Sequence, residues 1–161
     1  MTLGFSTHWP TPRKDPDPTF FDFKILSPYR EKMRKMFPIP KIHTFRLGAR
    51  WRAGMSIQMV IGNRTKLRYQ FNADIPELST CISVQPARLW IDTTHNLTIA
   101  IGAPNTPDQY TINRAEIHLF AANEGFDSVA ELARWFFPKG YHPIGVPLVG
   151  QIIHWTNFQY T

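Results

Sequence analysis

Cysteine is almost missing from this chain: Cys81 is the only one in 161 residues. An internal disulfide is therefore excluded, as is a metal cluster built on several thiolates, and the usage fits a reducing, cytoplasmic setting. Long apolar runs are missing too, since no stretch approaches the ~18 residues a membrane-spanning helix needs. The opening MTLGFSTHWPTPRK has no basic region followed by an apolar one, so no secretory leader is expected. Neither a GxGxxG nor a GxxxxGK[ST] loop occurs, which argues against a phosphate cradle of those types. There is no GxSxG elbow. The six histidines (His8, His43, His95, His118, His142, His154) form no pair at short helical spacing, so no metal site and no cofactor are expected.

Acidic residues are also scarce. Twelve Asp and Glu against eighteen Lys and Arg leave a net charge of +6 and a pI near 9.7. Such an excess favours a polyanionic partner, nucleic acid first, over a membrane. The charge is uneven: residues 30–68 hold most of it, and residues 91–108 contain no Lys or Arg.

What is present suits a single domain. Apolar residues make up 43% and aromatics 14%, and a chain of this length buries roughly 70% of its unfolded surface on folding. Residues 1–18 carry Pro10, Pro12, Pro16 and Pro18, and read as a proline-rich arm or loop; residues 19–161 form the domain. Phe21, Phe23 and Ile25 alternate and predict a strand over residues 19–26. Ser27-Pro28 then reads as a helix start, with Tyr29, Met33, Met36 and Phe37 as its apolar stripe and a halt before Pro38 and Pro40. Alternation over residues 55–61 and 67–71, with GNRTK between, predicts a hairpin. TCISVQPARLWID and LTIAIG read as two more strands. Asn113 with Glu116, and Ser128 with Glu131, have capping-box spacing at the start of two helices. Gly125 suits the left-handed position that ends the first, and Pro138 stops the second. GQIIHWTNFQY reads as a closing strand. About six strands follow one another directly, which favours an α+β fold with a mostly antiparallel sheet or small barrel and helices at its rim.

The most unusual stretch is KIHTFRLGARW, residues 41–51, with three Lys or Arg, a histidine, a threonine and a tryptophan. Taken alone, Lys41 reads as a solvated lysine and Thr44 as an ordinary strand residue. Trp51 and Trp155 could stack on a base, or fill the core. Cys81 lies in an apolar strand and reads as packing.

Three segments taken together are more specific: KIHTFR followed by RWRAG, then ANEGFDSVAELARWF, then GQIIHWT. Their order and spacing resemble the ASCH domain, a branch of the PUA-like superfamily, and the chain is similar to the longer ASCH-like proteins of phages. The resemblance implies a PUA-type β-barrel whose cleft is lined by the Lys-x-x-Thr-x-Arg segment and an acid-bearing helix end. It also implies a binder of RNA or a modified nucleoside. Small bacterial members hydrolyse the acetyl amide of 4-acetylcytidine, which makes an amidohydrolase the alternative. Their lysine, threonine and glutamate fall here on Lys41, Thr44 and Glu124, with His43, Arg46, Arg50, Trp51 and Trp155 as candidate substrate or nucleic-acid contacts. The family often has Gly-Asp after the tryptophan, where this chain has Gly54-Met55.

For amide hydrolysis, Thr44 or a water would attack. Burial beside Arg46 and Arg50 would lower the Lys41 pKa and let the amine act as base; otherwise Lys41 steadies the oxyanion and Glu124 is the base. Glu124 sits at a helix C-terminus, where the dipole is expected to raise its pKa. In an extended segment Lys41 and Thr44 point to opposite faces, so the chain must bend for both to line one cleft.

Overall fold

The computed structural model describes residues 1–8, 17–138 and 142–161. Its elements in chain order are β1 (Thr2–Phe5), α1 (Phe21–Leu26), α2 (Glu31–Met36), β2 (His43–Leu47), β3 (Gln58–Ile61), β4 (Tyr69–Gln70), a 3-10 turn (Pro76–Leu78), β5 (Ser83–Ile91), β6 (Leu97–Ile101), β7 (Tyr110–Thr111), α3 (Arg114–Asn123), α4 (Val129–Phe136) and β8 (Leu148–His154). The strands form two sheets, one of five strands ordered β2-β8-β5-β6-β7 and one of three ordered β1-β3-β4. The chain is therefore mixed α+β with four α-helices, and neither sheet closes into a barrel among the described residues.

The five-stranded sheet is antiparallel throughout. Its apolar face carries Phe45, Leu89, Ile99, Ile101 and Ile152, all at most 2% exposed. Burying these side chains contributes roughly 1.5–3 kcal/mol each before entropy is counted. Strand β8 lies so close to β2 that a Cβ on Gly150 would sit 2.2 Å from the Arg46 carbonyl oxygen and 2.7 Å from the Phe45 ring. Both late helices start as the sequence predicts. Asn113 and Glu116 exchange a complete capping box, and Ser128 accepts from the Glu131 amide at 3.2 Å. The Glu131 carboxylate turns instead to the Asp127 amide.

Two expectations fail near the N-terminus. Residues 19–26 are not a strand. Phe21, Ile25 and Leu26 are the buried set, a helical spacing, whereas Phe23 stacks with Phe20 and Phe37 outside the core. Ser27 does not open the next helix; it ends α1, its hydroxyl donating to the Lys24 carbonyl, and α2 starts after Arg30 with no buried residue at all. Within residues 1–18, read as an extended proline-rich arm or loop, Thr2–Phe5 form β1, which pairs in parallel with β3, Thr2 opposite Gln58 and Phe5 opposite Ile61. Pro10, Pro12 and Pro16 lie outside the described residues. The closing strand stops at His154, and the chain after it folds back so that Tyr160 is buried. No helix among the described residues is long and apolar enough to cross a membrane.

Candidate functional site

Strand β2 is an edge strand of the five-stranded sheet, so every second backbone amide on its outer side needs a partner from elsewhere. Glu124 supplies one. It caps the C-terminus of α3, and its Oε1 accepts from the Phe45 backbone N–H and, at 3.2 Å, from His43 Nδ1. Its Oε2 accepts from Lys41 Nζ at 2.7 Å and from Thr44 Oγ1 at 3.4 Å. One carboxylate thus gathers four donors from a single short segment, and the Glu124 carbonyl takes a further bond from the same ammonium. A cation against the carbonyl end of a helix is favourable in its own right.

The bend this requires occurs before β2 begins. The Lys41 amide donates to the Lys24 carbonyl and the Ile42 amide to the Asn123 carbonyl. Residues 41 and 42 are therefore held by α1 and α3 rather than by the sheet, and this swings Lys41 onto the same carboxylate oxygen as Thr44.

All four side chains are removed from water: Lys41 and Glu124 are each 2% exposed, Thr44 4% and His43 0%. Burial pushes the Lys41 ammonium down to about 8, against the pull of Glu124. The Lys41 Nζ also lies 5.1 Å from the centre of the Phe21 ring and 5.9 Å from that of Phe5, over their negative faces. Burial would raise the Glu124 pKa, but Lys41 and His43 together hold it well below the ordinary carboxyl value. The helix-end argument expects the opposite direction. The dipole acts through partial charges, while Lys41 brings a whole charge within hydrogen-bond distance. At neutral pH the site is an ion pair.

A relay backs this pair. Glu124 accepts, so His43 Nδ1 carries the proton and Nε2 accepts from the Tyr160 hydroxyl at 2.8 Å. Tyr160 in turn accepts from Asn123 Nδ2 at 3.2 Å. Burial lowers the His43 pKa, consistent with a neutral ring. Next to it, His154 has no hydrogen-bond partner for either ring nitrogen among the described residues. Burial and the neighbouring His43 push its pKa down to about 3, which keeps it neutral.

The space in front of the pair is small. A cavity of about 50 Å³ is lined by Lys41, Thr44, Arg46, Glu124, Phe136 and the β1 segment Gly4–Phe5–Ser6, among others. It has room for one or two waters at roughly 30 Å³ each, or for a substituent of acetyl size, but not for a base. Strand β1 roofs it: the Arg46 guanidinium donates to the Gly4 carbonyl at 2.5 Å and lies 5.3 Å from the Phe5 ring centre. An open groove of about 410 Å³ runs along Gly4–Phe5–Ser6–Thr7 and Gly62–Asn63–Arg64, sharing Gly4, Phe5 and Ser6 with the cavity. Other grooves, of about 520, 470 and 420 Å³, are lined by none of Lys41, Thr44 or Glu124.

The structure thus brings Lys41, His43, Thr44 and Glu124 together, with Arg46 beside them. Arg50 is exposed, and its charge bears on Arg46. Trp51 and Trp155 do not face the cavity. Both are 3% exposed core residues, Trp51 bracketed by Gln151 and Trp155 set edge-on to Phe5. Sequence reasoning missed Tyr160, Asn123 and the β1 roof. Nothing local marks Tyr160, which lies 117 positions from the histidine it holds. Among the described residues no cluster of His, Cys, Asp and Glu could hold a metal ion. Comparison with known protein families, with curated proteins and with solved structures found no match in any of the three.

Proposed function

We propose that this protein is a PUA-like, ASCH-type domain that binds nucleic acid or a modified nucleoside through the Lys41-x-x-Thr44-x-Arg46 cleft. The carrying observation is the convergence of Lys41 and Thr44 on one buried carboxylate oxygen of Glu124, from an otherwise basic segment. Burying a charge pair is costly, and a hydrophobic trio would hold the same elements together at least as well. Polar groups kept in place with a small cavity before them are better accounted for as recognition groups for a ligand. Lys41 and Arg46 supply donors and Thr44 an acceptor, a set able to read the polar substituent of a base, while the Glu124 oxygens, already occupied by four donors, hold these groups in place. The 50 Å³ cavity takes a small substituent while the base itself sits on the β1 side.

The test is affinity for ribo-oligonucleotides carrying 4-acetylcytidine or plain cytidine, compared between the wild type and Thr44→Val. The reading expects binding that weakens steeply with salt, a preference for one of the two bases, and loss of that preference in Thr44→Val. Absence of any affinity at low salt sinks it.

A second reading is hydrolysis of the acetyl amide, favoured by the Thr44 hydroxyl sharing Oε2 with the Lys41 ammonium. There the Lys41 ammonium steadies the oxyanion, Glu124 takes a proton from water, and hydroxide adds to the acetyl carbonyl. The tetrahedral adduct then releases acetate and the reprotonated amine of cytidine. The depressed pKa of Glu124 makes it a weak base while Lys41 is charged, so binding stands first. Release of acetate from 4-acetylcytidine, lost in Lys41→Ala, would reverse that order.

A further inference from the structure

Ten of the eighteen Lys and Arg fall in residues 32–73, a stretch with no Asp or Glu at all. Three of them, Arg64, Lys66 and Arg68, stand on the turn of the β3–β4 hairpin and are exposed. Other cations of the molecule have carboxylate partners: the exposed Arg30 pairs with Asp74, the exposed Lys35 with Glu31, and the partly buried Lys24 with Asp127. The hairpin trio has none among the described residues; its nearest polar contact is Arg68 to the Gln58 amide oxygen at 3.4 Å.

The turn is locally ordered. Gly62 and Arg64 hold φ of 59° and 67°, the Thr65 amide and hydroxyl both donate to the Gly62 carbonyl, and the Leu67 amide donates to Thr65 Oγ1. The turn backbone thus sets the spacing of the three cations, which have no carboxylate partner among the described residues. Two large side chains beside these cations face solvent, Leu67 on the turn at 83% and Tyr69 at the start of β4 at 60% exposure, and the Tyr69 ring offers an open π face to a base. Position supplies the last element. Asn63 packs against Gly4, and the 410 Å³ groove from the hairpin along β1 ends at the residues that roof the cavity.

We propose that the β3–β4 hairpin is the landing site for single-stranded nucleic acid, with backbone phosphates on Arg64, Lys66 and Arg68, a base stacked on Tyr69, and the strand running along the β1 groove toward Lys41 and Thr44. Unpaired strand fits better than duplex, because the exposed ring of Tyr69 needs a free π face. The inference rests on the nucleic-acid reading above and adds to it a binding surface outside the cleft.

The experiment is fluorescence anisotropy with labelled oligocytidine, the same oligomer carrying 4-acetylcytidine, and oligodeoxycytidine, each of about 12 nucleotides, and with a duplex of the same length, over about 50 to about 300 mM salt. The proteins are the full chain and its Arg64→Gln/Lys66→Gln/Arg68→Gln, Tyr69→Ala and Thr44→Val variants. Each changed hairpin side chain is exposed, and circular dichroism confirms that the variants fold. Removing three phosphate contacts lowers the slope of log K against log salt by about 2. Tyr69→Ala weakens single-strand binding on the order of tenfold and leaves duplex binding unchanged. A preference for one sugar assigns RNA or DNA; equal affinity is what phosphate and stacking contacts alone produce. If the triple variant keeps the wild-type slope while Thr44→Val changes base preference, the hairpin proposal falls and the cleft reading stands. Duplex binding as tight as single-strand binding, unaffected by Tyr69→Ala, overturns the single-strand assignment. If the wild type binds no oligonucleotide at low salt, both fall.

Discussion

Replacing Glu124 by glutamine keeps the shape of the side chain and removes its charge. In the wild type its two oxygens accept from Lys41, His43, Thr44 and the Phe45 amide. A glutamine offers one oxygen, and its NH₂ must face either the Lys41–Thr44 pair or the His43–Phe45 pair, donor against donor. The Lys41 ammonium, 2% exposed, is left without a counter-charge. Breaking a buried pair from one side costs about 3–5 kcal/mol, and for a chain of this length each kcal/mol moves Tm by roughly 2–4 °C. Glu124→Gln should therefore lower Tm by roughly 6–20 °C, read by thermal and urea unfolding at neutral pH. Adding Lys41→Met removes the stranded charge, so the double variant should recover a large part of the loss. The pH dependence follows from the depressed carboxyl. Its contribution is present above the ordinary carboxyl value of 4.5 and is lost as pH falls toward the folded value near 2. Wild-type stability should fall through that window more steeply than that of Glu124→Gln. A loss under about 1 kcal/mol, with parallel pH curves, would refute the buried-pair reasoning.

Further outcomes concern the shell around the pair. Tyr160→Phe leaves His43 Nε2 and Asn123 Nδ2 without their partner and should cost about 1–3 kcal/mol in urea unfolding. His154→Phe should be neutral within about 1 kcal/mol or stabilising, because it replaces a buried ring whose nitrogens have no hydrogen-bond partner among the described residues; a larger loss would mean those nitrogens are engaged. Gly150→Ala drives a methyl group into the Arg46 carbonyl and the Phe45 ring and should cost at least about 2 kcal/mol, seen as a lower urea midpoint. Gly125→Ala combines a φ of 86° with a Cβ 3.1 Å from Lys41 Cδ. It should destabilise by about 1–2 kcal/mol, and it disturbs the ammonium as well as the helix end.

What could be read in advance divides along physical lines. Capping residues act within a turn of their own backbone, so Asn113, Ser128 and Gly125 marked helix ends correctly from spacing alone. Alternation failed at residues 19–26, because three apolar positions at every second residue also contain an i, i+4 pair. Tertiary burial of Phe21 and Ile25 then chose the helix. The prolines after residue 9 hid the strand before them. A parallel partner 56 positions away leaves no local trace in Thr2–Phe5. Site chemistry was legible where it lay in one segment, Lys41 to Arg46. Its support was not, since Tyr160 and β1 arrive by chain return. Sequence alone leaves Trp51 and Trp155 open to stacking on a base or to core packing; both sit 3% exposed in the core, as large aromatic side chains commonly do.

The central claim is that the residues gathered on Glu124 form a ligand cleft roofed by β1. It is tested most directly by amide shift mapping of the isotope-labelled protein during titration with single-stranded ribo-oligonucleotides containing cytidine or 4-acetylcytidine. The account predicts that shifts concentrate at Gly4, Phe5, Ser6, Lys41, Thr44, Arg46 and Glu124, and that the two bases differ there. Saturable binding with shifts confined to other surfaces, and none at these residues, would contradict it.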